Sequence, residues 1–129
     1  MRRRTSLYWV LMAISCATVA SGLIQVMAPS FILTHIHAQT TPTSNYFFRI
    51  IGMFMVLFGA MLIHALPSLR PQPVPIFWAA AQKFGAFFAV SIAVLHHVFS
   101  PLALAIAVFD LICGFLILNF WRQMSRSPF

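Results

Sequence analysis

Acidic side chains are almost absent from this sequence, because Asp110 is the only aspartate or glutamate among its 129 residues. A lone carboxylate cannot form the acid–base pair that hydrolytic enzymes use, and no Ser–His–Asp arrangement is indicated. Charge of either sign is also scarce, since charged residues make up 7% of the chain, against about 25% in soluble domains. These absences argue against a soluble protein and lead us to expect that the chain is not an enzyme.

Cysteine is scarce as well, and the two cysteines, Cys16 and Cys113, form no C-x-x-C motif. The chain therefore lacks the redox motif that a membrane oxidoreductase would need. Both cysteines fall inside apolar segments, where we interpret them as small buried hydrophobic side chains and not as a structural disulfide.

Apolar residues dominate what is present: they make up 61% of the chain, and the mean hydropathy is +0.93. About 20 mostly apolar residues are needed to cross a bilayer as a helix. The sequence has four such stretches, at about 7–28, 46–66, 76–98 and 101–121. The alternating pattern of a barrel strand is absent, and a spanning segment satisfies its own backbone hydrogen bonds as a helix. We predict an all-α integral membrane protein: one domain over residues 1–129, with four transmembrane helices in an up-down bundle.

Basic residues predict the orientation of these four spans. Six arginines lie before the first span, between the second and third, and after the fourth: Arg2, Arg3, Arg4, Arg70, Arg122 and Arg126. The loop 29–45 and the corner near residue 100 carry no lysine or arginine. Because such an excess marks the cytoplasmic side, we predict a bacterial inner-membrane protein with both termini in the cytoplasm. We expect no nucleic-acid partner, since nothing soluble presents the basic residues as a patch.

Two segments near the first span allow more detailed interpretation. The start of the chain has the basic, apolar and small-residue order of a signal peptide, and we interpret residues 7–28 as a retained first helix. The loop 29–45 mixes apolar with polar residues, which favours a short interfacial helix at about 30–36.

Small residues recur at helical spacing in every span, a pattern that lets transmembrane helices approach each other closely. We predict packing faces in all four spans. Their members are Ala13, Ala17 and Ser21 in the first span, Gly52 and Gly59 in the second, Gly85 and Ala89 in the third, and Gly114 in the fourth.

Two charged residues are predicted to meet inside the membrane. Lys83 in the third span and Asp110 in the fourth lie at depths that differ by about 4–5 Å, at 1.5 Å per residue. An unpaired charge at mid-membrane costs at least about 2.5–3.5 kcal/mol, so we predict a Lys83–Asp110 ion pair. Arg49 either reaches Asp110 from the outer side or extends to the headgroups. The pair is either a device that fixes helix packing or a ligand site, with Gln25 and His97 as polar neighbours.

Four of the five histidines are predicted at the outer face: His35 and His37 in the loop, and His96 and His97 at the end of the third span. Together they could hold copper or zinc, or they are ordinary interfacial histidines. No two histidines lie at the matching depth that two axial haem ligands need. Ligation of a chlorophyll-like pigment by one histidine stays open, and the sequence assigns no cofactor.

The segment RIIGMFMVLFGAML in the second span, with lysine in the third and Asp110 in the fourth, resembles small four-helix bacterial membrane proteins of the DoxX-like kind. The likeness concerns length, number of spans and glycine placement over most of the chain. The second span departs from that family's pattern because it has no acidic residue.

Three functional hypotheses follow. The first is a non-catalytic accessory or structural subunit, in contact with membrane lipids and with other subunits of a larger complex or copies of itself. The second is a small binder or transporter of a hydrophobic or anionic molecule, such as a lipid or quinone, at Asp110, Lys83 and Arg49. The third is a metal site at the outer histidines.

Overall fold

The computed structural model describes residues 6–68 and 72–126, and all regular secondary structure in these residues is helical. Five helices follow one another: α1 (Ser6–Met27), α2 (Pro29–His35), α3 (Pro42–Ala65), α4 (Pro73–Leu95) and α5 (Leu102–Arg126). All except α2 are long and apolar enough to cross a membrane, which confirms the four predicted apolar helices and supports an integral membrane protein. The short α2 confirms the helix predicted near 30–36. Arg2, Arg3, Arg4 and Arg70 lie outside the described residues.

The helix boundaries differ from the predicted ones because prolines and capping residues set them. α3 begins at Pro42 and not near 46: Thr41 Oγ1 accepts a hydrogen bond from Ser44 N (3.0 Å), and Ser44 Oγ accepts one from Thr41 N (2.8 Å). Proline suits the first helical position, where its missing N–H is not needed. α4 likewise begins at Pro73, before the predicted 76, and ends at Leu95 and not at 98. α5 begins at Leu102 and continues to Arg126, beyond the predicted 121.

The four long helices pack as two pairs. α1 lies along α3, and α4 lies along α5, whereas contacts between the pairs, α1 with α5 and α3 with α4, are much sparser. In the described part of the chain, α1 does not pack on α4 and α3 does not pack on α5. In the four-helix arrangement α1 is therefore diagonally opposite α4, and α3 is diagonally opposite α5.

Glycines set the close approach of α1 and α3. A Cβ atom added to Gly22 would lie 2.7 Å from the Gly52 carbonyl oxygen, and one added to Gly52 would lie 2.8 Å from the Gly22 carbonyl oxygen. A Cβ added to Gly59 would lie 2.9 Å from the Ser15 carbonyl oxygen. Gly52 and Gly59, which were predicted to be packing residues, are both buried at this contact. Small residues therefore bring the two backbones together, as in many membrane helix pairs.

The small residues predicted to pack on α1 do not make this contact. Ala13, Ala17 and Ser21 are all exposed, so the predicted packing face is wrong for contacts within the chain. A different face of α1 is buried, and its members alternate at spacings of three and four: Tyr8, Leu11, Ser15, Thr18, Gly22 and Gln25. The reason is that α1 has small residues on two faces, and only one of them carries the glycine that fits against Gly52.

The packing residues predicted on α4 and α5 have different outcomes, since Gly114 is buried and Gly85 and Ala89 are exposed. Gly85 and Ala89 are exposed on α4, and a Cβ added to Gly85 would meet nothing within 4 Å, so their predicted packing role is wrong within this chain. Gly114 is buried against α4: a Cβ there would lie 3.2 Å from a ring carbon of Phe84 and 3.3 Å from Lys83 Cβ. Of these three predicted packing residues, only Gly114 contributes to packing between α4 and α5.

Two apolar clusters connect the helices at their ends. The first cluster joins residues near the start of α1 and α4 with residues near the end of α3 and α5: Tyr8, Leu11, Leu62, Leu66, Ile76, Ala79, Ala80, Ile117 and Met124. The second joins α2 and the following turn to the start of α5 through Leu33, Ile36 and Ala103. The Ile36 carbonyl oxygen also accepts a hydrogen bond from Ser100 N at 2.8 Å, which ties the two connecting segments together.

Gly52→Ala is expected to destabilise the protein because the new methyl group would press on the backbone of α1, which cannot rotate away as a side chain can. We expect a free energy of unfolding in detergent lower by about 1–3 kcal/mol, measured by denaturant titration with circular dichroism. Gly85→Ala is the matched control, since a methyl group there meets open space. Equal stability of the two variants would contradict the close packing of α1 on α3.

Candidate functional site

Lys83 is a buried basic residue on α4, with only 4% of its surface exposed. Its Nζ donates a hydrogen bond to Thr18 Oγ1 on α1 at 3.0 Å and lies 3.5 Å from Asp110 Oδ1 on α5. Because α1 and α4 are diagonal to each other, the long lysine side chain crosses the middle of the four-helix arrangement to reach Thr18. One side chain therefore links the α4–α5 pair to the α1–α3 pair.

Asp110 is more open than its partner, with 17% of its side chain exposed against 5% for the Lys83 side chain. The Oδ1–Nζ distance of 3.5 Å is within the range of a salt bridge and at the outer limit of a hydrogen bond. The structure thus brings Lys83 and Asp110 together, as their similar depths in neighbouring spans predicted. Gly114, one turn after Asp110, leaves the room that the Lys83 stem occupies.

Thr18 is the member of this site that the sequence analysis did not predict. Its hydroxyl accepts from Lys83 Nζ and donates to the Ile14 carbonyl oxygen at 2.9 Å, so both roles of the hydroxyl group are used. Ser15 is similar, since its buried hydroxyl donates to the Leu11 carbonyl oxygen at 2.8 Å. The sequence contained a signal for Thr18, because polar residues recur at helical spacing on the face of α1 that is buried. The small residues on the other face of α1 have a similar spacing, and the prediction followed them instead.

Three residues that were predicted around Asp110 lie elsewhere. Arg49 is exposed on α3, which does not pack on α5 in the described residues, so of its two predicted alternatives the reach to Asp110 is wrong. Gln25 is buried, but its Nε2 donates to the Phe48 carbonyl oxygen at 3.0 Å and so connects α1 to α3. His97 is exposed beyond the end of α4. The site consists of Lys83, Thr18 and Asp110, without a spare positive charge for an anionic ligand.

The outer histidines terminate helices. His37 and His97 have positive φ angles of 55° and 59°, and each directly follows the C-cap residue of its helix. The next residue then donates back into the helix, from Ala38 N to Leu33 O (2.9 Å) and from Val98 N to Ala93 O (2.8 Å). This is the Schellman geometry that usually takes glycine, and histidine is among the side chains enriched at positive φ.

The structure does not assemble the predicted metal site. Residues 6–68 and 72–126 contain no group of three or more histidine, cysteine, aspartate or glutamate side chains that could hold a metal ion. His35, His37, His96 and His97 are all exposed, and His35 Nδ1 lies 2.7 Å from the Phe31 carbonyl oxygen of its own helix. The H-x-H and H-H patterns reflect two equivalent helix ends and not a shared ligand set.

Two surface grooves lie away from the polar contact. One, of about 350 Å³, is formed by α3 alone and is lined by Pro42, Thr43, Tyr46, Phe47 and Ile50. The other, of about 320 Å³, lies between α4 and α5 and is lined by Pro73, Val74, Phe77, Trp78 and Trp121. Lys83, Thr18 and Asp110 line neither groove, so these grooves give no ligand access to the buried contact.

Comparison of this chain with protein-family models, with curated proteins and with solved structures finds no match. The resemblance to DoxX-like proteins therefore gains no support from a family model. The function is argued below from the contacts and exposed surfaces of this chain alone.

A double-mutant cycle measures whether Lys83 and Asp110 act as one unit. Lys83→Met should destabilise the protein because it leaves the Asp110 carboxylate in the membrane without its cation, and Asp110→Leu should leave the lysine without its anion. The double variant should lose less than the sum of the single losses, with a coupling of about 0.5–3 kcal/mol in the free energy of unfolding. Additive losses would show that the 3.5 Å contact carries no interaction energy.

Proposed function

We propose that this chain is a non-catalytic accessory subunit of a larger membrane protein complex, and that α1 packs against a transmembrane helix of a partner. One observation carries this proposal: small side chains cover an exposed face of α1. They are Ala13, Cys16, Ala17, Ala20 and Ser21. Small residues are enriched where membrane helices approach each other closely, because backbones can then come into van der Waals contact. Gly22, the α1 glycine that serves this purpose inside the chain, lies on the opposite face of α1.

A second exposed small surface supports contact with more than one neighbour. Gly85 and Ala89 are exposed on α4, which is diagonal to α1 in the four-helix arrangement. The two small surfaces therefore lie on different sides of the protein. A subunit that sits between two transmembrane helices of its complex would use both.

The buried polar contact is, in this proposal, an internal brace and not a ligand site. We propose that Lys83 and Asp110 are both ionised and form an intramembrane ion pair, with Thr18 as a second acceptor for the ammonium group. All three residues find their partners within the chain, which supports a role in fixing how the two helix pairs meet. Buried polar groups are known to specify which helices pack together.

The orientation belongs to the same proposal. We propose up-down spans with both termini on the cytoplasmic side of a bacterial inner membrane. The apolar cluster that joins the starts of α1 and α4 to the ends of α3 and α5 supports this order. The six arginines in the corresponding sequence segments support the cytoplasmic assignment.

Gentle purification from native membranes, followed by mass spectrometry of the intact complex, tests the subunit role. We expect larger membrane proteins at fixed stoichiometry, and we expect Ala17→Leu to release them because the added side chain separates the helices. Ala105→Leu is the matched control, since Ala105 is an exposed alanine of α5 outside both small surfaces.

Two results would contradict this proposal. A homo-oligomer that Ala17→Leu dissociates would assign the small surface of α1 to self-association. A lone protein that retains a small molecule, and loses it in Asp110→Asn while keeping its helical content, would instead favour the binder or transporter.

A further inference from the structure

The groove between α4 and α5 has the composition of a membrane-interface site. Phe77 connects its two walls: its ring centroid lies 5.4 Å from that of Trp78 on α4 and 5.3 Å from that of Trp121 on α5. Pro73 and Val74, the first two residues of α4, close one end. Tryptophan is typical of the headgroup level of a bilayer, where its ring is apolar and its N–H is polar. The groove is thus open to lipid at the end of the bundle where α4 begins and α5 ends.

A cation without an acidic partner in the chain lies next to this groove. Arg122 directly follows Trp121 and is exposed. The only acidic side chain of the sequence, Asp110, is about 18 Å away along the same helix at 1.5 Å per residue and contacts Lys83. No carboxylate side chain of this chain can therefore neutralise Arg122, which leaves its charge open to pairing with another molecule.

The start of α4 adds to the positive potential at the groove. Its first turn contains no acidic residue, and the N-cap residue Gln72 makes no side-chain capping hydrogen bond. Neither Gln72 nor the first turn of α4 therefore offsets the partial positive charge of the helix N-terminus.

We propose that this groove holds one anionic phospholipid. The lipid phosphate pairs with Arg122, and the glycerol and upper acyl carbons lie against Phe77, Trp78 and Trp121. The aromatic lining favours a lipid over free phosphate, because inorganic phosphate gains nothing from the apolar rings. The excess of eight basic residues over one acidic residue favours an anionic over a zwitterionic headgroup.

The chain offers two charge-matched controls. Arg49 is exposed beside the other groove, which is formed by α3 alone and has no second helix as a wall. Arg3 precedes α1 in the same set of six basic residues as Arg122 but belongs to a different segment. Substitution of Arg49 tests whether any groove beside an arginine would give the same lipid preference. Substitution of Arg3 tests whether the preference comes from the overall positive charge of the chain and not from this groove.

Quenching of tryptophan fluorescence by brominated lipids tests the proposal on the full chain in detergent–lipid micelles. A Trp9→Phe background leaves Trp78 and Trp121 as reporters, since the sequence has three tryptophans. We expect brominated phosphatidylglycerol to bind in preference to brominated phosphatidylcholine. Arg122→Gln should lower this preference about fivefold, the equivalent of about 1 kcal/mol per basic residue near an anionic surface. Arg122→Lys, Arg49→Gln and Arg3→Gln should retain most of it.

Three outcomes would overturn the proposal. No preference for phosphatidylglycerol in the unaltered chain would exclude a selective site. Equal losses in Arg122→Gln and Arg3→Gln would attribute the preference to overall charge. Displacement of the lipid by inorganic phosphate, at an ionic strength where chloride does not displace it, would assign the position to a free anion. Circular dichroism of each variant confirms that the helices are intact.

Discussion

The polar contacts of Lys83 are the interaction that, in our proposal, fixes how the two helix pairs meet. Within each pair the helices pack closely, with glycine backbones in contact between α1 and α3 and Gly114 buried between α4 and α5. Between the pairs the contacts are sparse, and Lys83 is the described side chain that makes polar contacts with both. Separating the pairs would break the Lys83–Thr18 hydrogen bond, which acts together with the apolar cluster that also joins them.

Because Lys83, Thr18 and Asp110 contact one another, the surface of the protein is the better candidate for its functional contacts. The polar groups at the centre of the protein contact one another, and the two grooves described above lie elsewhere. The exposed features on which the proposals rest are two small-residue surfaces on diagonal helices and an aromatic groove beside Arg122. Surfaces of this kind fit contacts with other membrane helices and with lipid headgroups, which is the basis of both proposals above.

The sequence was sufficient for the features that depend on local composition and helix geometry. Four apolar runs of bilayer length predicted four long helices, and the rise of 1.5 Å per residue related the depths of Lys83 and Asp110. The sequence was not sufficient to predict side-chain contacts that depend on which helices become neighbours. Arg49 was given a possible reach to Asp110, but the α3 helix that carries it is diagonal to α5. Thr18 could not be singled out before the Lys83 side chain was known to extend across the helix arrangement to α1.

The histidines and the helix starts show a second kind of limit. The spacing of His35 and His37 resembles a ligand pair, yet the positive φ of His37 is a property of how a helix ends, which spacing does not reveal. The starts of α3 and α4 were predicted too late because apolar runs were counted, whereas Pro42, Pro73 and the Thr41–Ser44 cap begin the helices before those runs.

The most direct measurement of the central claim is the distance between the helix pairs with and without Lys83. Spin labels at exposed Leu57 on α3 and exposed Val108 on α5, in a background with both cysteines replaced by alanine, report this distance by double electron–electron resonance in nanodiscs. The account predicts one narrow distance distribution for the parent chain and a broader one, shifted to longer distances, for Lys83→Met. The same narrow distribution in both proteins would show that the two pairs are held together without the lysine and would contradict the account.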